Sequence, residues 1–311
     1  MNFRPDQATA VRALRNAAPY IRLYKGQIFV VKAGGALFGN EAATHSFMEQ
    51  VAILHQVGVR VVVVHGGGPQ LSATQNAMGI VPQIVEGRRV TDPQTAAVTV
   101  MVLNGTLNTK LLGLCRQMGL SAVGVSGLSA GLIVAEKRAP VVTQSGATVD
   151  YGQVGDIVSV DASVLRELLD GGHIPVVSPL SCTIDGTPLN INADTVAAAI
   201  GAQLGAEKLI LCTGAAGIFE SLSDPSSLVS YTDLAGLKRL TKAGSFADGM
   251  LPKADAIERA IKGGVRRVHV ISYSAPDALL AEVFTNEGTG TLIVADIKAL
   301  TAAESQAPSQ P

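Results

Sequence analysis

Aromatic residues are scarce in this chain and tryptophan is absent: phenylalanine and tyrosine together make up 4% of its 311 residues. So few aromatic side chains argue against a surface on which nucleic-acid bases stack. An excess of lysine and arginine is also lacking, because the formal net charge is −1. Without a basic surface, the chain has little electrostatic attraction for phosphodiester backbones. We therefore expect no nucleic-acid partner.

Cysteine and long apolar runs are also rare. The three cysteines, at 115, 182 and 212, have neither disulfide-framework nor zinc-site spacing, so we expect buried thiols in a reducing compartment. No apolar run approaches the roughly 18–20 residues that span a bilayer, and the N-terminus has no signal-peptide pattern. These observations predict a cytoplasmic protein without a membrane partner.

Several common catalytic fingerprints are missing too. The chain has no GxxxxGKS or GxxxxGKT loop, no GxGxxG dinucleotide fingerprint, no GxSxG elbow and no protein-kinase signature set. Ordinary P-loop nucleotidases, Rossmann dehydrogenases and serine hydrolases of that type are therefore not indicated.

Strand-forming and helix-forming segments alternate along the chain. Near-continuous apolar strands separated by helices predict an α/β fold with a largely parallel sheet, covered on both faces. Right-handed crossovers then bring the loops that follow the strands to one edge. The predicted strands are 28–32, 60–65, 122–126, 174–179, 208–213, 267–272 and 290–294; the predicted helices are 42–57, 69–79, 93–117, 161–170, 193–204, 252–263 and 275–285; a hairpin-like region covers 131–160 and a loop-rich stretch covers 214–250.

The two ends of the chain differ from its centre. Residues 7–24 predict an amphipathic helix, which Pro19 should bend or break. This helix either packs on its own domain or docks onto a second subunit, and the pattern does not decide between them. Residues 301–311 predict a disordered tail. With a lobe boundary near residue 200, the expected segments are an arm (1–26), a first lobe (27–203), a second lobe (204–300) and the tail.

Two glycine runs each follow a strand-forming run directly. Lys32-Ala33-Gly34-Gly35 follows residues 27–31, and His65-Gly66-Gly67-Gly68 follows residues 61–64. A buried strand that ends in glycines exposes bare backbone N–H groups at its carboxyl end, where open α/β sheets bind ligands. With the cation of Lys32 beside it, the pair predicts a cradle for phosphate.

A second lysine and an aspartate suit the same chemistry. Pro252 at a helix start would aim Lys253 near the helix N-terminus. Asp194 either caps the helix that begins beside it or lies ionised between the two lysines and orients them. Asn190 and Asn192 could hold polar groups of a substrate. Such cations and N–H donors are what phosphoryl transfer requires.

Arg88 and Arg89 offer guanidinium groups that suit bidentate binding of a carboxylate, although such a pair is also common in solvated loops. The five histidines show no metal-ligand spacing, and His65, at a strand end, is interpreted as structural.

Taken together, these segments resemble the amino-acid kinase family, and within it the members that act on N-acetyl-L-glutamate. The resemblance runs in collinear order from about residue 18 to residue 294. It is carried by KxGG at 32–35, HGGGPQ at 65–70, GxRVTD at 87–92, SGxxxGLI at 126–133, NINAD at 190–194, GMxPK at 249–253 and GxGT at 288–291.

The resemblance implies a three-layer αβα sandwich with an amino-acid lobe first and a nucleotide lobe second. It implies that ATP phosphorylates the side-chain carboxylate of N-acetyl-L-glutamate, with Mg2+ held mainly by the ATP phosphates and no dedicated protein metal site. Lys32 and Lys253 would stabilise the transferring phosphoryl group, and Asp194 would organise both lysines. The substrate-binding residues would be Gly34, Gly35, Gly66, Gly67, Arg89, Asn190 and Asn192.

The nucleotide side contains one clear departure. Relatives usually show a Thr-Asp-Val turn where this chain has Thr213-Gly214-Ala215. The missing aspartate lies near the place where the nucleotide should sit. The residues expected to bind the nucleotide are Thr213, Gly214, Gly217, Gly249 and Lys253.

A subset of the family has an N-terminal helix, forms hexamers and is inhibited by arginine. Residues 18–21 look like the end of that arm, so we expect a homo-oligomer, either dimer or hexamer. The residues at the spacing of that subset's L-arginine site are Tyr20, His269, Glu282 and Gly288.

Two other functions remain open from the sequence. One is a kinase for a related aminoadipate or glutamate substrate, although a carrier-linked substrate would need a basic docking surface. The other is a kinase-like regulatory module that senses arginine with weak or no kinase activity. The Gly214 departure favours that module, whereas the intact set of Lys32, Asp194 and Lys253 favours an enzyme.

Overall fold

The computed structural model describes residues 5–143, 145–244, 251–286 and 288–297. In chain order its strands are β1 (Ile28–Ala33), β2 (Arg60–His65), β3 (Ile84–Val85), β4 (Arg88–Arg89), β5 (Ala122–Ser126), β6 (Ile133–Lys137), β7 (Val141–Val142), β8 (Thr148–Val149), β9 (Gly155–Val160), β10 (Ile174–Ser178), β11 (Leu180–Cys182), β12 (Pro188–Asn190), β13 (Lys208–Thr213), β14 (Tyr231–Asp233), β15 (Arg267–Ser272) and β16 (Thr291–Val294). Its α-helices are α1 (Pro5–Tyr24), α2 (Glu41–Gln56), α3 (Gly68–Ala77), α4 (Pro93–Val100), α5 (Asn108–Gln117), α6 (Ser163–Asp170), α7 (Ala193–Leu204), α8 (Leu234–Lys242), α9 (Leu251–Lys262) and α10 (Ala278–Phe284).

The central sheet has eight strands in the order β14-β16-β15-β13-β1-β2-β10-β5. It is mainly parallel, as the sequence predicts, and β16 runs antiparallel to β15. Strands β2, β10 and β5 follow β1 in the chain and lie on one side of it. Strands β13 and β15 come later in the chain and lie on its other side. Such a change of direction opens a crevice at the carboxyl ends of the flanking strands. In this chain the crevice lies between the ends of β1 and β13.

Each face of the central sheet carries its own core. Val30 and Val62 belong to a cluster with α7 and α9, whereas Val31 and Val63 belong to a second cluster with α2 and α5. All four valines are 0% exposed. Successive strand residues point to opposite faces, so strands buried on both sides need apolar residues at every position. The expected αβα sandwich is confirmed.

A smaller sheet, β12-β11-β6-β9, stands near the carboxyl ends of the large one. Isolated bridges join Val154 to Asn190 and Thr91 to Gly152. This sheet occupies the region that the sequence predicts as hairpin-like, and it helps to wall the crevice.

Two local details go beyond the sequence predictions. The stretch 214–250, expected to be loop-rich, also contains β14 and α8, whose first turn is capped by the Asp233 carboxylate through the Gly236 N–H at 2.7 Å. A three-residue strand is too short to show a period, which is why the pattern missed it. Helix α1 continues through Pro19, so of the two predicted effects, a bend or a break, the break does not occur. Its last turn is held by packing, because Tyr24 meets Phe29 edge-to-face at 5.2 Å between ring centroids.

Helix α4, a π-helix (Met101–Leu107) and α5 form one continuous helical segment, Pro93–Gln117. By length and composition this segment is apolar enough to cross a membrane, although Asn104, Asn108 and Lys110 interrupt it and no unbroken apolar run of that length is present. Leu103, Leu107 and Leu111 are nevertheless buried in the second core, as is typical of a core helix.

The three cysteines are free thiols, and Cys115 and Cys212 are buried. Burial raises the pKa of Cys212 to about 12. Gly249 and the tail at 301–311 lie outside the described residues.

Candidate active site

Two lysines and one aspartate meet at the crevice. Lys32 lies near the end of β1, Lys253 in the first turn of α9 and Asp194 in the first turn of α7. The two ammonium nitrogens lie 2.8 Å and 2.9 Å from different oxygens of the Asp194 carboxylate. All three side chains are buried. The sequence separates these residues by up to 221 positions, yet the fold brings them into direct contact.

The opposite charges within this cluster stabilise one another. Burial would raise the pKa of Asp194, but the charges of Lys32 and Lys253 hold it far below its usual range. Burial lowers the pKa of Lys253, and the Asp194 charge opposes that shift. Asp194 is therefore ionised at neutral pH, and one anion is shared by two lysines.

Asn192, not Asp194, caps helix α7. Its Oδ1 accepts hydrogen bonds from the backbone N–H groups of Asp194 at 2.8 Å and Thr195 at 3.2 Å. This cap leaves the Asp194 carboxylate for the lysines, which decides between the two roles left open by the sequence. Asn192 also lines the cavity described below, but its side-chain oxygen is already engaged.

The two glycine loops lie side by side, and in each loop some backbone N–H groups already donate a hydrogen bond whereas others do not. The Gly34 N–H donates to the Cys212 carbonyl at 3.4 Å, and the Gly66 N–H donates to the Ala33 carbonyl at 2.8 Å. Within the described ranges, the N–H groups of Gly35 and Gly67 have no recorded backbone acceptor. In this conformation Gly35 and Gly67 are therefore the better candidates for binding an oxyanion.

Close packing explains why these loops need glycine. A Cβ on Gly35 would lie 2.8 Å from the Cα of Gly67, and a Cβ on Gly67 would lie 2.4 Å from Cδ2 of Leu103. The Gln70 amide donates to the Gly35 carbonyl at 2.8 Å and ties the two loops together.

Arg89 is held in place by a set of acceptors that sequence analysis missed. Its guanidinium donates to the side chain of Gln75, to Ser72 Oγ at 2.6 Å and to the Gly68 carbonyl at 3.2 Å. Gln75 is buried and itself donates to Thr95 at 3.1 Å. Helix α3 carries both Ser72 and Gln75, so the helix that follows the second glycine loop also orients the arginine.

A cavity of about 560 Å3 connects these groups. Asn190 lines it, with its amide 3.5 Å from the Thr91 hydroxyl. Arg138 was not predicted from sequence; it also lines the cavity and binds the Asp156 carboxylate at 2.6 Å. Predicted residues that line the cavity are Lys32, Gly35, Gly66, Gly67, Arg89, Asn190, Asn192 and Asp194; Gly34 and Lys253 are not among its lining residues.

The buried side chain of His65 contacts the second glycine loop. Its ring lies 3.4 Å from the Gly66 carbonyl and 3.3 Å from the amide nitrogen of Asn108. Burial lowers its pKa to about 4, so the ring is neutral at pH 7. These contacts agree with the structural interpretation of this histidine.

The residues expected to bind nucleotide lie beyond the end of β13. The Thr213 hydroxyl stabilises its own turn by accepting from the Ala215 N–H at 3.1 Å. Gly217 is a packing position, because a Cβ there would lie 2.6 Å from Oγ1 of Thr291. Gly214 is exposed at the crevice.

A second cavity, of about 830 Å3, lies at the opposite ends of β13 and β15. It is lined by all four residues of the predicted arginine site: Tyr20, His269, Glu282 and Gly288. Sequence analysis missed Lys208, which begins the apolar strand β13 and also lines this cavity.

Lys208, His269 and Glu282 form a buried chain. The lysine nitrogen lies 2.9 Å from His269 Nε2, and His269 Nδ1 lies 2.6 Å from the Glu282 carboxylate. Burial lowers the pKa of Lys208 to about 7 and that of His269 to about 4. Burial would raise the pKa of Glu282, but its hydrogen bond from His269 helps to hold the value at about 2. The cavity therefore contains a carboxylate that could receive a cationic ligand.

The first cavity has elements that stabilise a phosphoryl group in transfer: the Lys32 cation, adjacent N–H donors and an arginine for a second anion, with Lys253 bound to the lining residue Asp194. The described residues contain no group of three histidine, cysteine, aspartate or glutamate side chains that could hold a metal ion.

Comparison with known proteins agrees with this geometry. A sequence model of the amino acid kinase family matches residues 27–272. The chain is 47% identical to acetylglutamate kinase of Myxococcus xanthus over 94% of this chain and 96% of the relative. It is 43% identical to acetylglutamate kinase of Symbiobacterium thermophilum over 90% and 96%.

Among solved structures, the chain is similar to N-acetylglutamate synthase of Neisseria gonorrhoeae complexed with coenzyme A and N-acetyl-glutamate. The TM-score is 0.79 at 27% identity. The match covers 92% of this chain but only 63% of the synthase, so the chain spans less than two thirds of that protein. A second structure of the synthase, with coenzyme A and L-arginine, gives a TM-score of 0.73 at 26% identity, with 92% of this chain and 65% of that chain covered.

Proposed function

The chain belongs to the amino acid kinase family, and we propose that it acts as an acetylglutamate kinase. It transfers the terminal phosphoryl group of ATP to the side-chain carboxylate of N-acetyl-L-glutamate, a step of arginine biosynthesis. The observation that carries this proposal is the buried cluster of Lys32, Asp194 and Lys253 at the edge of a cavity that also contains Arg89.

The chemistry follows from these groups. A carboxylate oxygen of the substrate attacks the γ-phosphorus, an acyl phosphate bond forms, and the bond to the leaving ADP oxygen breaks. The attacking carboxylate is already ionised at pH 7, so no general base is needed. Lys32 and Lys253 balance the negative charge on the transferring group, and the N–H groups of Gly35 and Gly67 bind its oxygens.

The remaining groups orient the substrates. Arg89, fixed by Ser72 and Gln75, binds the α-carboxylate of N-acetyl-L-glutamate, and Asn190 contacts its acetylated portion. The first lobe (27–203) supplies these contacts, and the second lobe (204–300) binds the nucleotide. Mg2+ is carried by the ATP phosphates.

The test is to incubate the protein with ATP, magnesium and N-acetylglutamate and to trap the acyl phosphate with hydroxylamine. We expect product from the unaltered chain and a loss of about 100- to 1000-fold in kcat for Lys253→Ala, since its cation acts on the developing charge. Lys262→Ala, at the exposed end of the same helix, is the control and keeps full activity. Parallel reactions with glutamate and aminoadipate identify the substrate.

We also propose that L-arginine binds in the second cavity and regulates the enzyme. The Glu282 carboxylate offers a partner for a guanidinium group, and a related synthase has been solved with L-arginine. Glu282→Gln should weaken arginine binding in calorimetry, whereas Glu258→Gln, on a distant exposed ion pair, should not. If the protein binds arginine but makes no acyl phosphate, it is instead the sensor module that the sequence left open.

A further inference from the structure

Arg138 belongs to the wall of the first cavity that the small sheet forms. Its backbone N–H donates to the Val154 carbonyl at 2.8 Å, and Val154 forms an isolated bridge with Asn190. All three residues line the cavity that also contains Lys32 and Arg89. The side chain of Arg138 is only 18% exposed. The small sheet therefore places a guanidinium group in the same wall as the asparagine expected to contact the substrate.

An ion pair fixes the orientation of this guanidinium. Nε of Arg138 lies 3.1 Å from each oxygen of the Asp156 carboxylate, and Nη2 donates to one of these oxygens at 2.6 Å. Nε and Nη2 form the side edge of the guanidinium plane. Asp156 is not among the lining residues of the cavity. The aspartate thus holds the arginine in place without adding a carboxylate to the cavity wall.

The end edge of the Arg138 guanidinium is free. Arginine has five N–H donors in a planar fork. Asp156 accepts from Nε and from one N–H of Nη2, and Nη1 has no recorded acceptor among the residues that the structure describes. Two parallel donors, one on Nη1 and one on Nη2, are therefore available. Such an edge matches a carboxylate, which accepts two parallel hydrogen bonds from arginine.

Arg89 has no complete edge of this kind. Its Nη2 donates to the Gly68 carbonyl at 3.2 Å and to Ser72 Oγ at 2.6 Å, which uses both N–H groups of that nitrogen. Its Nη1 donates to the side chain of Gln75. The remaining donors are on Nε and Nη1, which lie on different edges of the guanidinium. In this conformation Arg89 can offer a carboxylate one hydrogen bond, whereas Arg138 can offer two.

We propose that Arg138 is a substrate-binding residue whose free edge binds the α-carboxylate of N-acetyl-L-glutamate, together with Arg89. The assignment rests on the proposed kinase function. The substrate has two carboxylates, and the one that is phosphorylated must face Lys32. The α-carboxylate is then the anion that remains for the guanidinium groups of the cavity. Arg138 selects acceptors that carry this second carboxylate.

The first test is Arg138→Gln, which removes the fork and its charge. The expected result is a rise of about 10- to 100-fold in KM for N-acetylglutamate, as for the loss of hydrogen bonds to a charged group. KM for ATP and kcat stay unchanged, because the α-carboxylate is bound equally in the ground state and the transition state. Lys137→Gln is the matched control: this lysine forms an exposed ion pair with Asp150 at 3.0 Å and is not among the lining residues. The control should leave kcat and both KM values unchanged.

A truncated acceptor identifies the group that Arg138 binds. 4-Acetamidobutyrate is N-acetylglutamate without its α-carboxylate, and it keeps the carboxylate that is phosphorylated. Arg138→Gln should lower kcat/KM for N-acetylglutamate and leave kcat/KM for 4-acetamidobutyrate unchanged, both measured by hydroxylamine trapping in the linear range of acceptor concentration. An equal loss for the two acceptors overturns the proposal, since a purely structural role or a contact with the acetyl group would affect both. An unchanged KM for N-acetylglutamate overturns it as well.

Calorimetry with N-acetylglutamate separates this assignment from the proposed function. A protein that makes no acyl phosphate, but binds N-acetylglutamate more weakly after Arg138→Gln, refutes only the kinase function. An active enzyme whose Arg138→Gln variant binds N-acetylglutamate as tightly as the unaltered chain refutes only the role of Arg138. A protein that binds no N-acetylglutamate refutes both.

Discussion

Replacing Asp194 by Asn tests the physical basis of the phosphoryl-binding cluster. The substitution keeps the shape of the side chain but removes the anion that two buried ammonium groups share at 2.8 Å and 2.9 Å. At an effective dielectric constant of about 20, each pair has a gross attraction of roughly 6 kcal/mol. The desolvation of all three ions offsets most of this attraction, and removing one partner of a buried pair costs about 3–5 kcal/mol. We expect Asp194→Asn to lower the free energy of unfolding by that amount near pH 7.

The pH dependence of this loss has a definite sign. Without Asp194, burial and the charge of Lys32 push the pKa of Lys253 further down, so that raising the pH removes its proton and relieves the unpaired charge. The difference in stability between the variant and the unaltered chain should therefore shrink between pH 7 and pH 9. In the unaltered chain, Asp194 has a depressed pKa, so its stabilising effect is complete above about pH 4 and is lost as the pH falls through the lower folded value.

Urea unfolding of both proteins at pH 7, 8 and 9 measures these differences, and hydroxylamine trapping measures the expected loss of activity. Asp255→Asn is the matched control, because this exposed carboxylate lies on α9 two residues beyond Lys253. Should Asp194→Asn unfold like the control, or lose more stability as the pH rises, the shared-anion explanation would be refuted.

Three further predictions concern the rest of the molecule. His65 and His269 have folded pKa values of about 4, below the usual 6.5, so stability should fall between pH 6.5 and pH 4 as the unfolded chain takes up protons; a flat stability profile in urea would contradict this. Gly67→Ala should destabilise the protein by about 1–3 kcal/mol and raise KM for N-acetylglutamate, because the new Cβ meets Leu103, whereas Gly113→Ala in an open helical position should be neutral or stabilising. Deleting residues 1–17 leaves Tyr24 in place and should lower the oligomer mass measured by light scattering; an unchanged mass would exclude the arm as the oligomerisation element.

Much of the fold was predictable because its strands are buried on both faces. An unbroken run such as residues 61–64 has few alternatives to a central strand, and β2, β5, β13 and β15 have the predicted bounds. The short strand β14 was not predictable, since three residues cannot show a period and its place at the edge depends on β16, a distant part of the chain. The continuation of α1 through Pro19 is likewise a tertiary effect, because local preference favours a break there.

The site was predictable where single residues carry the chemistry and less so where other residues position them. Lysine, aspartate and glycine at strand and helix ends indicate phosphate binding by their type alone. Ser72 and Gln75, which orient Arg89, are ordinary helical residues, and only the fold shows that they face the guanidinium. Lys208 did carry a signal that was overlooked, because a charge at the start of an otherwise apolar strand needs a buried partner.

The π-helix at Met101–Leu107 affects which in-frame deletions the protein can tolerate. A π-helix contains about one residue more than the α-helical path it replaces, and each inserted residue turns everything downstream by about 100° around the helix axis. The apolar faces of helices α4 and α5 can therefore point in different directions around the helix axis. Helix α4 packs towards β12, and helix α5 packs towards β5 and β10. Loss of a single codon within this segment would rotate one face out of its layer while leaving the segment helical. Reading-frame-preserving deletions here should consequently be far less tolerated than those in surface turns of similar length.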